Sequence, residues 1–164
     1  MDAAADAEFR DFMATRWPGL VRLGYGLTGD RQAAEDLAQT ALARAYASWP
    51  RVRRAGDPDA YVRRILLNAN RTRFRARRVA EHLTAELPDP GTPDPTGARD
   101  DRSALMTAMA ALPAGQRAVV VLRYWCDLGE QEIAETLGIS RGTVKSHTAR
   151  AMAALREHMK EGRA

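Results

Sequence analysis

The stretch EQEIAETLGISRGTVKSHTA (130–149) decides the fold. Ala134 stands where two crossing helices would approach, so a small side chain fits there. Gly138, four residues on, falls where the turn needs a positive φ, which glycine adopts freely. Val144 follows six residues later and plugs the core from the second helix, and Ile133, Leu137 and Ile139 complete the apolar set. Ser140 is placed to cap the second helix by accepting from its free amide donors. The spacing predicts a helix-turn-helix. The charges agree with it. Asp127, Glu130, Glu132 and Glu135 lie on or before the first helix, while Arg141, Lys145, Arg150 and Arg156 lie on the second, with no acid before Glu157. A helix that enters the major groove of a nucleic-acid duplex wants this asymmetry.

Upstream of this unit, Leu105, Met109 and Leu112 mark an amphipathic helix, and Pro113 opens another that carries Val119, Val120, Leu122 and Tyr124. Four of the eight prolines crowd into ELPDPGTPDPTGARD (86–100), a poor helix and a poor strand. Residues 83–101 therefore read as a flexible, acidic linker between lobes 1–82 and 102–164, leaving their relative orientation free. In the first lobe Phe9, Phe12, Met13, Leu20, Val21 and Leu27 recur at helical steps, with Pro18 predicting a kink or break near Trp17. Thr28-Gly29-Asp30 stops that run. A second helix is expected from Arg31 to Trp49, its stripe formed by Ala34, Leu37, Ala38, Ala41, Leu42, Ala45, Tyr46 and Trp49. A loop, PRVRRAGDP (50–58), follows. Asp57-Pro58 caps a third helix, expected to reach about Val79, with Val62, Ile65, Leu66 and Ala69 facing inward. The fold class is thus all-α, two small helical domains joined by a linker.

The 164 residues carry a net charge of +4, but unevenly. Residues 51–79 hold ten arginines against Asp57 and Asp59, whereas residues 80–103 hold two arginines against six acids. Such concentration points to a polyanionic partner. In LLNANRTRFRARR (66–78), Arg71 and Arg75 fall at helical steps with Arg64 and Asn68 and share one face. Arginines there supply phosphate affinity without sequence reading, while Asn68 and Asn70 have the chemistry to read base edges. No apolar run is long enough to span a bilayer, and MDAAADAEFRDF lacks the basic and apolar parts of a secretory leader, so a cytoplasmic protein is expected. A single cysteine, Cys126, excludes an internal disulfide. His82, His147 and His158 are too dispersed for a metal site, and neither a nucleophile–base arrangement nor a phosphate-cradling glycine loop is present, which argues against an enzyme or a cofactor. Trp17, Trp49 and Trp125 read as packing residues.

GDRQAAEDLAQTALARAY (29–46), DPDAYVRRILLNANRTRFRARR (57–78) and LPAGQRAVVVLRYWCDLGEQEIAETLGISRGTVKSHTARAMAALR (112–156) occur in the order found in one family. The chain resembles the extracytoplasmic-function (group 4) sigma factors of bacterial RNA polymerase, above all short sigma-E-type members of actinobacteria. The resemblance implies that lobe 1–82 is sigma region 2 and lobe 102–164 is sigma region 4. It implies core RNA polymerase as a partner, through the clamp helices of the largest subunit and the flap, with Asp36, Gln39 and Thr40 on the clamp contact. It implies promoter DNA as the second partner. Loop 52–60 and Asn68 would hold a flipped base of the −10 element, and Arg64, Arg71, Arg73, Arg75, Arg77 and Arg78 would hold phosphates. Arg141, Thr143, Lys145, Ser146, His147 and Arg150 would face the −35 duplex. It also suggests a helical anti-sigma factor wedged between the lobes. Tyr61 stands where the family often has Trp, and His147 where Arg is frequent.

Two rival readings follow from the residues alone. A self-standing dimeric helix-turn-helix regulator would use one DNA surface per subunit, and a helical RNA-binding protein would need no second promoter element. The basic first lobe, without an evident ligand pocket or dimer seam, disfavours the former.

Overall fold

The computed structural model of the protein describes residues 2–83 and 97–163, and the described residues form helices and turns. The first lobe holds α1 (Ala3–Thr28), α2 (Arg31–Ala47), α3 (Trp49–Arg54) and α4 (Pro58–Leu83). The second holds α5 (Gly97–Ala111), α6 (Ala114–Val120), a π-helical segment (Val121–Trp125), α7 (Glu130–Leu137) and α8 (Arg141–Glu161).

Local chemistry sets the ends of these helices. Asp2 caps α1, accepting from the Ala5 amide at 2.8 Å. Gly29, at φ +67°, closes it by donating to the Tyr25 carbonyl. Asp30 at once starts α2, accepting from Ala33 N–H at 2.9 Å. Asp57 does the same for α4, accepting from Ala60 N–H at 3.0 Å. Between α1 and α2 the backbones come very close. A Cβ added at Gly24 would sit 3.0 Å from the Ala34 Cα. Ala34 is fully buried at this approach, where a larger side chain would hold the pair apart, and Ala33, Ala38, Ala41 and Ala45 of α2 are buried as well. Phe9 meets Trp49 edge-on at 5.1 Å between ring centroids, and Val62, Leu66 and Leu67 of α4 close the core.

Several expectations need correction. Helix α1 runs through Pro18 unbroken, because that residue is exposed while Phe9 before it and Leu20, Leu23 and Leu27 after it anchor both halves in one core. Residues 50–54 are helical: Pro50 lies in the first turn of α3, where its missing N–H costs nothing. Tyr46, expected inside, is 45% exposed and donates to Asp6 Oδ1 at 3.1 Å. Tyr124 is likewise outside, because the chain after Val120 widens into a π-helical turn in which Cys126 N–H reaches the Val121 carbonyl at 3.2 Å. The linker expected over 83–101 overlaps two helices. Leu83 ends α4 and Gly97 begins α5, and the remainder, 84–96, lies outside the described residues.

The lobes are not held apart. One buried cluster runs from Ala5 to Leu155 and includes both. At the seam a Cβ on Gly26 would lie 2.9 Å from Val121 Cγ1, and Arg117 of α6 donates to the Leu27 carbonyl of α1 at 3.2 Å.

Candidate nucleic-acid interface

The helix-turn-helix forms as the spacing predicts. Gly138 adopts φ +67° and donates to Ala134, and Thr143 N–H donates to Ser140 Oγ at 3.1 Å. Ile133 and Val144 are fully buried between α7 and α8. That burial fixes the roll of α8 and turns Arg141, Lys145, Ser146 and Arg150 outward. Glu130 at the start of α7 faces two of them: its Oε2 lies 3.7 Å from Arg141 Nη2 and 3.9 Å from Lys145 Nζ.

Thr143 and His147 sit differently from the other four. The Thr143 hydroxyl lies 2.9 Å from Ser140 Oγ, inside the cap, and the residue is half-buried. His147 is half-buried against α6; its Nε2 is 3.4 Å from where a Gly115 Cβ would be, and its Nδ1 is buried without a hydrogen-bond partner among the described residues. Helical phase explains this, since position 147 lies three after Val144 and four before Ala151, both core residues.

On α4, Arg64, Asn68, Arg71, Arg75 and Arg78 are all exposed. The Asn68 backbone carbonyl accepts from Thr72 Oγ1 at 3.1 Å, and the Asn68 side-chain amide has no hydrogen-bond partner among the described residues. The Arg78 guanidinium lies 5.9 Å from the Phe74 ring centroid. Arg77 is paired with Glu81 at 3.5 Å. Arg73 is half-buried and lines a groove of about 320 Å³ with Asn70, Phe74 and Arg117. The expected base-holding loop at 52–60 is shorter than the sequence suggests, because α3 and α4 leave only 55–57 between them.

On α2, Asp36 and Gln39 are exposed and Thr40 half-exposed, one helical turn apart on the same side. Gln32 Nε2 donates to Asp36 Oδ1 at 3.1 Å.

Arg117 is the residue that sequence reading missed. Its guanidinium donates to four backbone carbonyls: Met109 at 2.9 Å, Ala110 and Leu112 at 2.8 Å, and Leu27 at 3.2 Å. Three of these groups close the C-terminal end of α5, where helix carbonyls lack partners and favour a cation. Burial holds the Arg117 pKa below the usual arginine range. The one legible signal was a lone charge inside the apolar run of LPAGQRAVVVL (112–122). Among the described residues no helix is long and apolar enough to cross a membrane.

Two outward-facing basic helices on an all-α scaffold, one within a helix-turn-helix, define a DNA-binding transcription protein. Residues 14–79 match the family model for sigma-70 region 2, and residues 102–155 match that for sigma-70 region 4. The chain belongs to the sigma-70 family of RNA polymerase sigma factors. It is 44% identical to the RNA polymerase sigma-E factor of Streptomyces antibioticus, over 93% of this chain and 84% of that protein. It is 34% identical to the ECF RNA polymerase sigma factor SigL of Mycobacterium tuberculosis, over 87% and 83%. The sigma factor RpoE of Bartonella quintana, solved with the anti-sigma factor NepR, superposes with a TM-score of 0.75 at 23% identity, covering 93% of this chain and 97% of that one. CnrH, solved with the cytosolic domain of CnrY, superposes at 0.69 and 22%, covering 95% and 90%. The function is that of a sigma factor: binding RNA polymerase and directing initiation at promoters. Matches over both halves do not favour the dimeric-regulator alternative.

Proposed function

We propose a division of labour between the two lobes. The first, 2–83, docks on the clamp of the polymerase through Asp36, Gln39 and Thr40 and holds the opened −10 element on α4. There Asn68 takes part in receiving a flipped base, and Arg64, Arg71, Arg75 and Arg78 neutralise phosphates. Extruding a base costs a few kcal/mol, which contacts of this kind must offset. The second lobe, 97–163, lays α8 in the −35 duplex, with Arg141, Lys145, Ser146 and Arg150 toward the DNA. Thr143 and His147 act from behind this surface, by capping and packing. The observation that carries the reading is the exposed, same-sided row from Arg64 to Arg78, where unengaged Asn68 stands among cations. The protein performs no bond chemistry and works in the cytoplasm, where the polymerase is. An anti-sigma factor, such as the one with which RpoE of Bartonella quintana was solved, belongs to the same reading as a further partner.

The test is initiation in vitro with core polymerase, using Asn68→Ala and the pair Lys145→Ala/Arg150→Ala. Asn68→Ala should form holoenzyme and bind the −35 duplex but open the promoter poorly. The pair should lose −35 duplex binding and keep core binding. If Asn68→Ala opens DNA at the normal rate, the assignment of the −10 pocket is wrong.

A further inference from the structure

Val52 of α3 and Val62 of α4 are buried, and no residue of 53–61 between them is. This stretch contains loop 55–57. Among the described residues a Cβ added at Gly56 would meet nothing within 4 Å, so the tip of the loop faces open space. Apolar packing therefore holds the two helices and does not hold the loop. Local bonds shape it: Asp57 caps α4, and the Ala55 amide donates to the Arg51 carbonyl at 3.1 Å. Such bonds do not tie it to the rest of the lobe.

Two ion pairs from α1 do. Glu8 Oε2 lies 3.0 Å from Nη2 of Arg53 at the end of α3, and Arg16 Nε donates to Oδ1 of Asp59 in the first turn of α4. One pair grips the chain just before the loop and the other just after it. Glu8 and Arg16 are about 12 Å apart along α1, at about 1.5 Å per residue. The signs alternate: α1 presents an acid and then a base, and the flanks of the loop present a base and then an acid. Exchanging partners would bring like charges together, so the order of charges fixes how the loop sits on α1. Arg16 is itself steadied, its guanidinium 5.8 Å from the Phe12 ring centroid, and Phe12 lies 5.1 Å from Trp49 at the start of α3. Both pairs are partly exposed, and Arg16 and Asp59 rim a cavity of about 250 Å³ at the seam between the lobes, with Trp125 and Cys126. Pairs so exposed add little to folding stability. They suffice to select one position of a loop that nothing buried holds.

We propose that α1 positions the base-receiving loop, with Glu8 and Arg16 clamping it from both sides through Arg53 and Asp59. This rests on the −10 reading above, in which that loop and Asn68 on the helix after it receive a flipped base. Glu8 and Arg16 touch no DNA in this role and are positioning residues. Their effect falls on promoter opening, since a loop placed in advance loses less freedom when it takes up the base.

The test uses the full chain with core polymerase, as Arg16→Glu, Asp59→Lys and the exchanged pair Arg16→Glu/Asp59→Lys, beside Asn68→Ala. Arg16→Glu sets two carboxylates face to face and should slow promoter opening roughly two- to fivefold, the range expected of an exposed pair. Core affinity, −35 duplex affinity and circular dichroism should stay as in the wild type. The exchanged pair restores the attraction and should recover most of the lost rate. Glu8→Lys and Glu8→Lys/Arg53→Glu should repeat the pattern at the other flank. Added to Asn68→Ala, Arg16→Glu should slow opening less than it does alone, because both act on one pocket. Arg16→Glu that opens DNA at the wild-type rate, or an exchanged pair as slow as its slower parent, overturns the proposal. So does a loss of core affinity in step with opening, which marks a general packing role. If Asn68→Ala opens DNA normally, the −10 reading falls, and an Arg16→Glu defect recovered by the exchange still assigns the clamp to promoter opening.

Discussion

Glu130 holds Arg141 and Lys145 within 4 Å, whereas Arg150 has no acidic partner among the described residues. The first two must share their charge with a carboxylate before meeting a phosphate, and Arg150 need not. Arg150→Ala should therefore lower −35 duplex affinity more than Arg141→Ala, and reduce the salt dependence of binding by about one counterion, as measured by titration over a range of salt. His147→Ala should leave sequence preference in such assays unchanged and lower the melting temperature instead, since the ring packs on Gly115. Gly138 is a different case. At φ +67° any side chain is strained, and Gly138→Ala should cost about 1–2 kcal/mol, read by thermal or denaturant unfolding. These roles differ in how well the chain announces them. The left-handed turn at Gly138 and the cap at Ser140 were legible, because each depends on one local conformation. The inward turn of His147 was not, because it depends on how α8 rolls against α6.

At the scale of elements, caps and interruptions do most of the specifying. Asp30 both follows the stop at Gly29 and starts α2, and Asp30→Ala should cost about 1 kcal/mol by unfolding. Helices with capping residues were legible to within a turn, α2 and α4 at their starts especially. Two prolines were misleading in opposite senses. Pro18 looked like a break yet lies on the wet side of α1, and Pro50 looked like the start of a loop yet opens α3. A proline's effect depends on which face it occupies and how far it lies from a helix start, and neither is fixed until the core forms. The exposed row of Arg64, Asn68, Arg71, Arg75 and Arg78 on α4 was legible from helical steps alone. The shortness of the loop before it was not.

At the scale of the molecule, the acid-rich middle of the sequence suggested two independent bodies, and the structure instead presses them together. Nothing local signals this, since Gly26 and Val121 are 95 positions apart and neither is unusual where it stands. The seam has a chemical reporter in Cys126, which lines its cavity. Burial raises the thiol pKa there, against the opposing pull of Arg63 and Arg22. Less thiolate is present at a given pH than in a free thiol. Alkylation by iodoacetamide at pH 8 should be slower than for a solvent-exposed cysteine, and faster in Gly26→Ala.

The wide turn at Val121–Trp125 fits one residue more into its circuit than a regular helix would. Deleting a single codon there would restore ordinary winding and swing all that follows by about 100° around the axis. Trp125 would then point away from Gly26, and the DNA-facing unit behind it would be re-aimed as a whole. Length in this short segment is therefore a form of angular information, and a count of residues there constrains the protein as firmly as their identity.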